Sequence, residues 1–217
     1  AKKCAAIIME PCREGFPEKN YLKEIKKIAK KNNCLLIFDE ICTGFRLSLG
    51  GAQKLYNVTP DLSTFGKGMA NGMPISALVG KAEIMSKFNE IFYSLTNAGE
   101  TLSLVAAKAI LEFYDRVDVP KKLEKFGKML KKGLAKLIEK HDLSDRMILV
   151  GSNFRFGLGF VKPGDMNYDP TEDLLYWNQL LCSYGILSGG GHIISYAHNE
   201  VIIKETLRIY DQVMSEV

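Results

Sequence analysis

Asp39 and Lys67 are the residues whose type and surroundings point to covalent chemistry. Asp39 closes the apolar run 34–38, at the carboxyl end of a strand, where open α/β sheets carry their ligand sites. A carboxylate buried there is costly unless it meets a positive partner. On local evidence a second reading stands beside this one, in which Asp39 caps the following turn. Lys67 follows another short strand, 61–65, and lies between Gly66 and Gly68. Flanking glycines free the backbone and leave room beside the lysine for a bulky planar group. A lysine held away from water loses part of its preference for the charged form, as an imine-forming amine requires. The competing reading is a surface lysine in a flexible loop. A phosphate-binding P-loop fits poorly, because that motif puts Ser or Thr after the lysine and Gly68 stands there.

Together the two residues match the needs of pyridoxal 5'-phosphate (PLP). A strand-end carboxylate pairs with the pyridine nitrogen and keeps it protonated, which makes the ring an electron sink. A lysine holds the aldehyde as a Schiff base and then moves the proton at the substrate's amine-bearing carbon.

The elements that must carry these residues are legible. Residues 4–9 read as a strand stopped by Glu10-Pro11, since proline cannot donate to a ladder. Residues 20–33 show a helical apolar period through Tyr21, Leu22, Ile25, Ile28 and Ala29. The run 34–38 has no polar alternation and suits a parallel strand covered on both faces. The first forty residues therefore spell a right-handed βαβ unit. Strands at 61–65 and 75–79 and helices at 82–88 and 100–116 follow, with Asn97 and Glu100 spaced as a capping box. A lysine-rich amphipathic helix at 120–141 marks a change of composition. Beyond it, strands at 146–150, 154–161 and 192–197 alternate with helices at 171–184 and 200–215. The expected organisation is an α/β part over 1–117 with a mostly parallel sheet, then a small α+β domain over 118–217.

The net charge of +4 comes largely from lysines on two helical segments, so a solvated face accounts for it and nucleic acid is not an expected partner. The five cysteines are odd in number and form no C-x-x-C pair. That argues for a reducing compartment, with the cytoplasm as the expected location, and against a disulfide scaffold or a metal site. No apolar run approaches the length of a membrane span. The chain opens without Met and almost directly into an apolar strand, from which we expect further residues upstream.

Three segments carry a resemblance to a known family. Ile8-Met9-Glu10-Pro11, the stretch from Leu36 through Asp39-Glu40-Ile41-Cys42-Thr43-Gly44-Phe45-Arg46, and Thr64-Phe65-Gly66-Lys67-Gly68 resemble, in order and spacing, the hallmarks of class III aminotransferases. Within that family the chain is similar to the C-terminal half of the glutamate-1-semialdehyde aminomutase-like branch, through 66–80 and the ending 185–198. The resemblance implies the large domain of PLP-transferase fold type I followed by a small C-terminal domain. It implies Lys67 as the Schiff-base lysine, Asp39 at the ring nitrogen and Ile41 on a ring face. It implies that Thr96 reaches the cofactor phosphate of a partner subunit in a homodimer, and leaves Glu10 a supporting role near the site. Local evidence alone makes Ile41 an ordinary apolar residue and Thr96 a plain capping residue equally well.

The substrate implied is a small amine or carbonyl compound, handled by an aminotransferase or an aminomutase. Two departures bear on it. Leu95 stands where a glycine is usual before the phosphate threonine. No arginine in 186–198 offers the fork that suits a carboxylate. His141 ends a surface helix, and His192 and His198 read as packing or hydrogen-bonding residues. The alternative from another class is a catalytically inactive structural or interaction module. A Rossmann-type dehydrogenase or methyltransferase is weak, because no G-x-G-x-x-G follows the first strand.

Overall fold

The computed structural model describes residues 4–13, 15–189 and 191–217, and its contacts divide into two compact units, 1–120 and 121–217. In the first unit, β1 (Ala6–Met9), α1 (Tyr21–Lys31) and β2 (Leu35–Asp39) form the expected βαβ unit, with β1 and β2 parallel and Met9 opposite Phe38. The amphipathic period of α1 puts Leu22 and Ala29 against Leu36 and Phe38 of β2, and Ile7, Met9, Ile25, Val58 and Tyr56 complete that core. Burying such side chains contributes about 1.5–3 kcal/mol each, which holds β2 in register.

β2 is dry on one face only. Leu36 and Phe38 are buried, whereas Leu35, Ile37 and Asp39 between them are partly exposed, so the continuous apolar run overstated the coverage.

After α2 (Gly51–Tyr56), β3 (Leu62–Phe65) pairs parallel to β2, setting Asp39 opposite Thr64. A single 3₁₀ turn, Lys67–Met69, follows β3, and β4 (Ala77–Gly80) returns antiparallel to it. The sheet order is β1-β2-β3-β4. A short helix, α3 (Ala82–Met85), and a 3₁₀ turn (Ser86–Glu90) lead towards α4 (Thr101–Tyr114). Ala107 of α4 packs with Phe45, Met69 and Ala70, so α4 covers the loops that follow β2 and β3. The cap of α4 differs from the expected box: Glu100 itself is the N-cap, its carboxylate accepting from Leu102 N (2.9 Å) and Ser103 N (2.7 Å). A carboxylate there meets two orphan backbone donors at once, and Asn97 contributes only its carbonyl, to Glu100 N.

α5 (Val119–Lys140) opens at the division between the units. In the second unit, β5 (Met147–Ser152), β6 (Arg155–Phe160) and β7 (Gly191–Ile193) form an antiparallel sheet in that order. α6 (Thr171–Ser183) and α7 (Glu200–Met214) supply fully buried Trp177, Leu181, Ile203 and Tyr210, with Trp177 edge-on to Phe160 of β6 and tilted against Tyr210. β7 is shorter than expected, because after Ile194 the chain turns, with Ser195 N donating to His198 Nδ1 at 2.9 Å.

Candidate active site

Parallel pairing brings the carboxyl ends of β1, β2 and β3 side by side, and each tip carries a residue singled out by type. Glu10 follows β1, Asp39 ends β2, and Lys67 stands two residues beyond β3. Asp39 is fixed by two hydrogen bonds that both fall on Oδ1, from Ile41 N (3.0 Å) and from Thr64 Oγ1 (3.2 Å). The turn-capping reading of Asp39 is therefore correct for Oδ1. It does not exhaust the residue, since no hydrogen bond among the described residues engages Oδ2.

Lys67 adopts φ +43°, a left-handed backbone that costs an L-residue about 1–2 kcal/mol. Such outliers persist where the surroundings over-determine them. Here the restraints are visible: the Lys67 carbonyl accepts from Asn71 N at 3.0 Å, while Gly66 and Gly68 on either side are buried. A methyl group added at Gly68 would lie 3.3 Å from Phe45 Cβ. The lysine side chain is exposed, and its Nζ donates to Cys42 Sγ at 2.9 Å. Ile41 stands between the two tips: its Cγ2 would be 3.7 Å from a Cβ at Gly66.

The residue that sequence reasoning passed over is Glu40, quoted only as the neighbour of Asp39. It is 0 % exposed. Its Oε2 accepts from Ala52 N (2.9 Å) and from Thr43 Oγ1, and its Oε1 accepts from Gln53 N (2.8 Å). Its own carbonyl accepts from Gly44 N at 2.7 Å. One carboxylate thus holds down the whole excursion 41–53, including Ile41 and Cys42. Gly51 has φ +72°, and a Cβ there would stand 2.6 Å from Glu40 Cδ, so glycine is required by both conformation and space. A signal was present in the sequence, the pair Gly50-Gly51 ahead of a short apolar stretch, but it does not name its partner.

Glu10 Oε2 is buried and has no hydrogen-bond partner among the described residues. The orphaned carboxyl oxygen after β1 and the unengaged one on Asp39 at the end of β2 are hydrogen-bond acceptors, the kind of partner that a heterocycle with a protonated nitrogen needs. Thr96 lies in the exposed turn 96–99 before α4, and no hydrogen bond among the described residues ties it to Asp39, Ile41 or Lys67. A cleft of about 460 Å³ opens at the far end of β3 beside Lys26, Gln53, Ser63 and the Lys81–Asp61 ion pair (2.6 Å). It is away from the strand tips that carry Asp39 and Lys67. Among the described residues there is no cluster of His, Cys, Asp and Glu fit to hold a metal. Among the described residues no helix is long and apolar enough to cross a membrane.

The chain is similar to glutamate-1-semialdehyde 2,1-aminomutase of Methanococcoides burtonii, 35% identical over 95% of this chain and 52% of the relative. The enzyme of the same name from Archaeoglobus fulgidus is 33% identical over 94% of this chain and 52% of its own length. The chain thus spans about half the length of the curated relatives it matches. Its fold is that of FumI from Sphingopyxis sp. MTA144, solved in a PLP internal aldimine form, with TM-score 0.88 at 24% identity over 100% of this chain and 52% of that one. An S-selective transaminase from Arthrobacter sp. superposes with TM-score 0.83 at 22% identity over 99% of this chain and 52% of that one. The family model for class-III aminotransferases matches residues 1–174, and the chain belongs to that family.

Proposed function

We propose that this chain supplies the lysine-bearing half of a PLP-dependent aminotransferase or aminomutase acting on a small amine or carbonyl substrate. The observation that carries the reading is the pairing of Asp39 opposite Thr64 on adjacent parallel strands, which sets an oriented carboxylate beside the Lys67 loop. PLP, when bound, supplies an aldehyde carbon and a ring that accepts electrons. Lys67 would supply the amine that holds the cofactor and would then carry the proton to and from the substrate carbon. Asp39 would hold the ring nitrogen through its carboxylate, which Ile41 N and Thr64 Oγ1 orient through Oδ1. Ile41 would provide an apolar surface for one ring face. Glu10 lines the same end of the sheet.

On this reading residues 1–117 are the C-terminal part of the large cofactor-binding domain, and 118–217 are the small domain. A homodimer with Thr96 reaching the partner's cofactor phosphate accords with the exposed apolar stretch around it: Phe92 is 97% exposed, Leu102 63% and Val105 62%. Five free cysteines accord with a reducing, cytoplasmic location.

The test is spectroscopic. The protein incubated with PLP should develop the visible band of a lysine-bound cofactor, and Lys67→Ala should abolish it. Asp39→Asn should keep the band but slow turnover by on the order of 10²- to 10³-fold. A band unchanged in Lys67→Ala refutes the assignment. The second reading, an inactive module of the same family, is supported if the intact natural protein has the mass of this chain alone, and the enzyme is supported by a mass matching the relatives, of whose length this chain covers 52%.

A further inference from the structure

Cys42 Sγ accepts a hydrogen bond from a side-chain amine, Lys67 Nζ at 2.9 Å. The thiol is free and half-buried, and the amine is exposed, so a small solute reaches both. The thiol is also held in place. Its carbonyl accepts from Arg46 Nη1 at 3.1 Å, and the turn it rides on is pinned by the buried Glu40 carboxylate. Neither a tumbling cysteine nor a lysine searching through solvent describes this pair.

We propose that Cys42 and Lys67 form a redox modification site, in which hydrogen peroxide oxidises the thiol and the lysine amine then captures the sulfur. In the first step the Cys42 sulfur attacks one peroxide oxygen. The O–O bond breaks, the S–H becomes S–OH, and one water leaves. In the second step the neutral Nζ attacks the sulfur of this sulfenic acid. An S–N bond forms, the S–O bond breaks, and hydroxide leaves with the amine proton as a second water. The pair loses two electrons and two hydrogens, and the peroxide is reduced to two waters.

Sulfenic acids condense with thiols and even with backbone nitrogen, and a side-chain amine already in contact is the better nucleophile. An added thiol attacks the sulfur and reverses the link. The chemistry stands on the Cys42–Lys67 geometry alone. Its consequence, removal of the amine that would hold the cofactor, rests on the reading of Lys67 given above.

The test treats the purified chain, free of PLP, with hydrogen peroxide and maps the products by non-reducing peptide mass spectrometry. The expected product joins the Cys42 and Lys67 peptides, is lighter than their sum by two hydrogens, and is released by dithiothreitol. It is absent from Cys42→Ser and from Lys67→Arg. Sulfenic or sulfinic acid on Cys42 with Lys67 unmodified overturns the proposal, as does a Cys42 that stays reduced while exposed Cys182 oxidises. The two readings fail separately. A cross-link without a PLP band removes the cofactor role of Lys67 and leaves this site standing, whereas a band without a cross-link does the reverse.

Discussion

Replacing Gly51 by alanine should destabilise the protein far more than the same change at Gly99, although the two share a backbone conformation. Gly51 has φ +72° and Gly99 φ +73°, so each Gly→Ala change forces an L-residue into the left-handed region at a cost of about 1–2 kcal/mol. At Gly99 nothing lies within 4 Å of the added methyl, and the cost ends there. At Gly51 the methyl would stand 2.6 Å from Glu40 Cδ and 2.8 Å from Oε1, far inside contact distance. The carboxylate must move, and it is fully buried with bonds from Ala52 N, Gln53 N and Thr43 Oγ1. Breaking a buried charged network of this kind costs about 3–5 kcal/mol, since the carboxylate and its donors are left unpaired away from water. Gly51→Ala should therefore exceed Gly99→Ala by roughly 3 kcal/mol or more. Denaturant melts of the three proteins read this as a shift in midpoint at constant slope. A difference under about 1 kcal/mol would refute the role assigned to Glu40, because a cage that yields so cheaply cannot be what holds the loop.

Two further outcomes follow from buried titratable groups. Burial pushes His192 down to about 4, where its ring stacks on Phe156 at 4.7 Å and its Nε2 lies 2.6 Å from Tyr210 Oη. The unfolded chain takes up this proton near pH 6.5 and the folded one does not until about pH 4, so folding stability falls as pH drops through that window. The total effect is about 3 kcal/mol, and a stability-against-pH slope between pH 6.5 and 5 that is the same in His192→Asn would show it absent. Burial likewise pushes the Cys12 thiol up to about 11, so at pH 8 iodoacetamide should label Cys4 and Cys182 and spare Cys12 until the chain unfolds. Prompt labelling of Cys12 in the native protein would contradict its placement.

Much of the candidate site was legible in the sequence. Asp39 and Lys67 were found because strand ends can be read from apolar runs, and because glycines on both sides of a lysine are conspicuous. The family resemblance was legible for the same reason, as three local segments in a set order. The elements with a clear period, α1, α5 and α7, fall within a residue or two of their expected bounds. What failed was local inference about ends. The cap of α4 is Glu100 and not Asn97, and β7 stops at Ile193. Both are settled by which orphan backbone groups a side chain or a neighbouring strand can reach, and several spacings satisfy the same pattern.

The amino-acid sequence by itself determined the βαβ start, the acid and the amine, and the family, since each is written in a contiguous segment. Only the tertiary structure decided that one Asp39 oxygen is spent within the protein while no hydrogen bond among the described residues engages the other, and that Cys42 faces Lys67. It also decided that Glu40 nucleates α2 from twelve residues away. These are contacts between side chains brought together by strand pairing and loop closure. Their geometry depends on distances that no linear spacing encodes, so a helix without its own cap or period stayed invisible until the carboxylate that starts it had been placed.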